Sequence, residues 1–224
     1  MPIDPATTWK DARVSLVAGC PRCASPVVSE GEQVRCLEHG LTRALWMPGE
    51  ATYESFGLHL RHSRGMPTLV PWPLGPDWTI TRFASVGGGE ESVRATAVSC
   101  AGTSLLDGPV EITVVSEEAG TGLGRRVAGT VHEDPGEQIR GGRPEVRVRV
   151  GTRPVPLWSI STSSADSEFD RSVFAGEYEG RWLWLVLRPA SAALMLRDDW
   201  ILADVAEFGP ELVEMSFGGS PPPW

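Results

Sequence analysis

Four residues constrain this 224-residue chain more than any other feature: Cys20, Cys23, Cys36 and His39 form a C-x2-C pair and a C-x2-H pair separated by twelve residues. A spacing of two places both side chains of a pair on one tight turn. Two such turns joined by a short hairpin offer three sulfurs and one nitrogen in tetrahedral arrangement, a donor set that suits zinc. Between the pairs, Ala24 to Val28 and Gln33 to Arg35 read as short strands around a turn at Glu30-Gly31-Glu32, so a zinc ribbon is predicted over residues 18–48. Four protein ligands leave no open coordination position, and the predicted metal is therefore structural rather than catalytic. A redox C-x2-C is the alternative. It needs Cys20 and Cys23 at a strand-to-helix junction, and Pro21 and Pro26 point away from one.

Length and charge narrow what surrounds this module. A chain of this size buries a core without covalent staples, so zinc is needed locally and not globally. The net charge of −9 disfavours nucleic acid, whose binding depends on basic side chains neutralising phosphates. The ribbon itself carries Glu30, Glu32 and Glu38 against Arg22 and Arg35, which gives phosphate little reason to dock there. Met1 to Trp9 lack a signal peptide's basic segment and apolar run, and no apolar stretch reaches membrane-spanning length. A cytoplasmic protein without a membrane partner is expected, in a reducing compartment where such a cysteine pattern signals metal more than disulfide.

Along the chain, residues 1–17 read as a loosely ordered lead-in, and residues 49–77 as a short helix followed by a Pro-rich linker. Tyr53, Phe56 and Leu60 recur at helical spacing, while Pro67, Pro71, Pro73 and Pro76 exclude helix and central strand. Trp72 and Trp78 are expected to pin the linker to the body. Residues 78–217 then show strand after strand: Trp78 to Phe83, Ser92 to Ser99, Val110 to Ser116, Glu145 to Val150, Leu157 to Thr162, Ser172 to Glu177 and Arg181 to Arg188. Few short helices are expected, at Ala190 to Leu196 and, interrupted by Gly209-Pro210, at Val205 to Glu214. The predicted fold class is mainly β (α+β), an N-terminal zinc ribbon followed by a mostly antiparallel β body, with an irregular tail over 218–224.

The strings CPRC…CLEHG, PWPLGPDW, RATAVSCAG, EEAGTGLGRRVAG, PLWS and FAGEYEGRWLWLVLRP occur in this order. With them, the chain from about residue 18 to 217 resembles an uncharacterised actinobacterial family of zinc-ribbon-containing proteins. The resemblance implies Cys20, Cys23, Cys36 and His39 as metal ligands and transfers a body plan, without an activity. The chain departs from the pattern in the segment Pro135 to Arg143 and in the tail.

Outside the ribbon the chemistry is sparse. Gly120-Thr121-Gly122-Leu123-Gly124 followed by Arg125-Arg126 invites an anion-binding reading through Gly122, Gly124, Arg125 and Arg126. No long helix opens at the last glycine, so a wide turn between strands is the preferred expectation. Cys100 ends a strand-like run and reads as a small buried residue, with His59, His62 and His132 as the remaining imidazoles. The acidic pairs Glu90-Glu91, Glu117-Glu118 and Asp198-Asp199 read as solvated. Between Thr121 and Arg153, seven Arg stand against four acidic residues. Arg147 and Arg149 share one face of a strand there, either as an outer face protecting a sheet edge or as a surface for an acidic partner. Trp182 and Trp184 face away from Leu183, Leu185 and Leu187, which predicts a central strand covered on both sides. Some of the nine Trp, such as Trp46, Trp72 or Trp224, are candidates for a partner surface, with core packing the preferred expectation for most of them. No catalytic constellation stands out. The expectation is a binding or adaptor protein with a protein partner; the alternative is an enzyme or binding protein for a small anionic, phosphate-bearing ligand held by the Gly120–Arg126 loop.

Overall fold

A computed structural model describes residues 10–11, 14–30, 33–88, 92–139, 141–162, 170–197 and 200–224. The expectations placed on Gly31, Glu32, Glu90, Glu91, Asp198 and Asp199 lie outside the described residues.

The stretch expected to be loosely ordered up to residue 17 contains β1 (Lys10–Asp11) and most of β2 (Val14–Gly19), where Leu16 turns inward and is buried. The Cys/His segment follows as β3 (Val27–Glu30), β4 (Gln33–Cys36) and β5 (Gly40–Arg43), a three-stranded antiparallel sheet of its own. β6 (Leu45–Pro48) leads to α1 (Tyr53–His62), which begins at a capping box in which Thr52 and Ser55 satisfy each other's backbone N–H. The Pro-rich stretch contributes the three-residue strand β7 (Leu69–Pro71). The body continues through β8 (Thr79–Val86), β9 (Ala95–Ser104) and β10 (Gly108–Glu117), then the six-residue helix α2 (Leu123–Ala128). The last strands are β11 (Val146–Val150), β12 (Arg153–Ser159), β13 (Ser172–Tyr178), β14 (Arg181–Arg188) and β15 (Ile201–Asp204). Short 3-10 turns cover Ala190–Arg197, Val205–Glu207 and Pro210–Glu214, the last two separated at Gly209 as the sequence suggests.

The fold is mainly β, as expected. Twelve strands join in the order β1-β2-β6-β8-β9-β10-β14-β13-β12-β11-β15-β7, and the pairs are antiparallel except β11 with β15. β7 sits at the far end of this order, the place where Pro71 costs no ladder hydrogen bond. It also packs across β9 and β10, so the sheet curls over itself. β14 is central between β10 and β13, and its two faces feed two cores: Trp184 and Val186 on one side, Leu183, Leu185 and Leu187 on the other, all buried. Trp78 lies on the backbone of Gly102, where a Cβ would collide with its ring, and Trp72 meets Phe208 edge-on at 4.7 Å. The linker is thus pinned as predicted.

Two aromatic expectations are corrected. Trp46 and Trp224 belong to the interior at 3% and 6% exposure, because each finds an apolar slot that a partner surface would leave open. Trp224 donates from Nε1 to Ser99 Oγ at 3.2 Å, and the Arg82 guanidinium stands 4.8 Å over its ring, so the irregular tail is anchored at its last residue. The acidic pair at 117–118 is a third correction, since Glu117 is fully buried. β11 is not an edge either: it lies between β12 and β15, with Val148 and Val150 turned inward and Arg147 exposed on the opposite face beside half-buried Arg149.

Candidate metal centre

Cys20 and Cys23 sit on the turn after β2, and Cys36 and His39 on the turn joining β4 to β5, so the antiparallel register of the small sheet brings the two turns together. One donor atom from each residue lies within 4.8 Å of the other three. The shorter edges of this figure are Cys23 Sγ to Cys36 Sγ at 3.5 Å, Cys20 Sγ to His39 Nδ1 at 3.7 Å and Cys36 Sγ to His39 Nδ1 at 3.7 Å. A tetrahedron with metal–sulfur bonds of about 2.3 Å has edges of roughly 3.8 Å, so the set is close enough to hold a metal ion and is compatible with zinc. A disulfide is not formed; the cysteines are free, and 3.5 Å far exceeds an S–S bond of about 2 Å.

The thiols differ in environment. Burial pushes Cys20 up to about 11. Burial would raise Cys36 too, but hydrogen bonds from His39 and from the backbone N–H groups of Glu38 and His39 outweigh it and bring the thiol down to about 6. Backbone N–H groups aimed at sulfur are what a thiolate ligand needs around it.

What holds this turn in place was not visible in the sequence. Arg126 Nη1 donates to the backbone oxygen of Cys20 and, at 2.7 Å, to that of Cys23. Arg22, between those cysteines, answers by donating from Nη2 to Gly120 O at 2.9 Å and pairing with Glu133 at 3.3 Å. The Cys/His segment is therefore latched to α2 and the loop before it. A small apolar cluster of Leu16, Val34, Ala44 and Trp46 fills the space between the small sheet and β2 and β6.

The predicted anion loop uses its groups internally. Leu123 N–H donates to Glu117 Oε2 at 2.9 Å, Trp184 Nε1 to Glu117 Oε1 at 2.7 Å, and the Gly124 N–H also reaches this carboxylate. The start of α2 thus cradles the protein's own buried anion. Gly124 leaves room for that approach, since a Cβ there would collide with Trp184 Nε1. Gly122 takes a left-handed φ of 85°, and a Cβ on it would stand 2.8 Å from Arg22 Cγ. Burial, more than its donors, sets the Glu117 carboxyl, pushing it up to about 7. Arg125 donates from Nε to Thr130 O at 3.2 Å. Of the four residues predicted to hold an anion, Gly124 and Arg126 are committed within the protein, and Arg125 and Gly122 line the same turn. Arg147 and Arg149 lie elsewhere, on β11.

Cys100 is fully buried, its thiol pushed up to about 12 by burial, and packs with Phe83 and Val98. His59 is stacked on Phe56 and pushed down to about 3 by burial, while His132 is exposed. No helix among the described residues is long and apolar enough to cross a membrane.

Comparison with known proteins gives no curated protein and no solved structure that matches. A family model does match, over residues 15–223, from within β2 to the residue before Trp224. The chain belongs to that family, the family of unknown function DUF6758.

Proposed function

We propose that the chain is a zinc-ribbon protein that works by binding, as an adaptor for a protein partner, with one structural zinc held by Cys20, Cys23, Cys36 and His39. The observation that carries this reading is the closed donor set, four protein atoms within 4.8 Å of one another. Four such ligands fill a tetrahedral ion and leave no position for substrate. A reducing, cytoplasmic setting suits three thiolate ligands. The Arg126 latch supports a fixed geometry between ribbon and body, so that both can present one continuous surface. The partner surface is the outer face of β11, where Arg147 and Arg149 offer positive charge in an otherwise acidic chain.

The test compares retention of proteins from a host lysate by the zinc-loaded wild type and by an Arg147→Glu/Arg149→Glu variant, at low and high salt. A protein retained by the wild type, lost in the variant and weakened by salt is expected. Equal retention by both forms rejects the β11 surface, and retention of nucleic acid alone rejects the protein partner.

A further inference from the structure

The ribbon and the body enclose a recess of about 320 Å³ whose wall includes Arg22 and Arg43 from the ribbon side and Arg94, Gly120 and Thr121 from the body. Three guanidinium groups line it, and no carboxylate among the described residues does. In a chain with 20 basic and 29 acidic residues, three guanidinium groups on one recess run against the overall charge balance. A wider cavity of about 670 Å³ shows the contrast: Arg61, Arg64 and Arg181 share it with Glu179, Asp204 and Glu207, so it selects neither sign.

The three arginines are held from behind. Arg22 is fixed by Gly120 O and Glu133, Arg94 by Ala119 O and by Glu118 at 2.8 Å, and Arg43 by Ser92 O at 3.2 Å. The supporting carboxylates Glu118 and Glu133 are not part of the wall. The Nε atoms of Arg22 and Arg94 are turned to these carboxylates, Glu133 at 3.3 Å and Glu118 at 2.8 Å, which fixes the plane of each guanidinium. Planar donors fixed in position before a ligand arrives are what bidentate phosphate recognition requires.

From this geometry we infer that the recess binds a small phosphate-bearing anion through Arg22, Arg43 and Arg94. The chemistry differs from that of a glycine loop. Gly120 N–H is taken by Asp134 at 3.0 Å, Thr121 N–H by Glu118 O and Leu123 N–H by Glu117, so side chains and not backbone amides bind the ligand. The volume lies at the low end of small-molecule sites, about 300–1,000 Å³, which fits a phosphate or diphosphate with little attached. Because Arg22 and Arg43 belong to the ribbon, the site exists only with the ribbon docked, and the inference rests on the metal reading above.

Isothermal titration of inorganic phosphate and pyrophosphate into the zinc-loaded full chain at low salt tests it, with zinc measured by elemental analysis on the same sample. Saturable binding is expected, at least tenfold weaker in Arg94→Gln and in Arg43→Gln, unchanged in Arg153→Gln and weakened by added salt. Two separate variants guard against one that fails to fold, which thermal unfolding of each reveals. Blank titrations of protein carrying one zinc per chain overturn the anion site and leave the metal reading intact. A folded, zinc-free chain overturns the metal reading and the docked recess with it. Binding that survives in both folded variants places the anion elsewhere and overturns the assignment.

Discussion

The Arg126 guanidinium donates to two carbonyls of the first metal turn, a directional restraint that no surface lysine would reproduce. Arg126→Met keeps most of the stem's packing and removes the donors, so a loss of about 2 kcal/mol in unfolding free energy is expected, with zinc content unchanged, measurable by denaturant titration. Loss of zinc in that variant would show that the latch builds the site and does not merely dock it. Glu117 supplies a pH signature. Its carboxyl is raised from 4.5 to about 7, so the folded chain binds more protons than the unfolded chain between those values. Its contribution is complete below about pH 4.5 and is lost as pH rises through about 7, on the order of 3 kcal/mol in all. Glu117→Gln should flatten that slope relative to the wild type; an unchanged slope means another group is responsible. Neither residue's role was legible from its neighbours in sequence, because Arg126 meets a turn 103 residues away and Glu117 looks like half of a solvated acidic pair.

At the scale of elements, the Cys/His cluster was readable because its signal is local: the ligand spacing and the strands β3 and β4 lie within one short stretch. β14 was readable for a similar reason, since alternating Trp and Leu residues mark both faces of one strand. α2 escaped, being six residues long and opened by glycines that ordinarily break helices. β7 and β15 escaped too, as three- and four-residue strands recognisable only by what they pair with. The three strands of the Cys/His segment share the small apolar cluster around Trp46 with the body, whereas the body buries three larger ones. Cys36→Ser should therefore unfold β3 to β5 and leave the body's cooperative transition in place, seen as rapid amide exchange confined to the ribbon. Loss of all cooperative unfolding would make ribbon and body one folding unit.

For the whole molecule, the mainly β class followed from closely spaced strand signals, but the order of strands did not. The small sheet sits between β2 and β6 in the chain while those two strands join the large sheet, and β11 pairs in parallel with β15 across three intervening strands. Such pairings are set by which apolar faces meet in space, not by any single segment. The same long-range closure brings Arg22, Arg43 and Arg94 to one recess and hides Trp46 and Trp224. At this scale the central claim is that one closed, four-ligand zinc site holds together the ribbon that Arg126 latches to the body. Zinc-edge X-ray absorption on protein purified without chelator tests it most directly. The account predicts one zinc per chain with three sulfurs at about 2.3 Å and one nitrogen at about 2.0 Å; a chain without zinc, or a zinc carrying an oxygen ligand in place of one of these four, would contradict it.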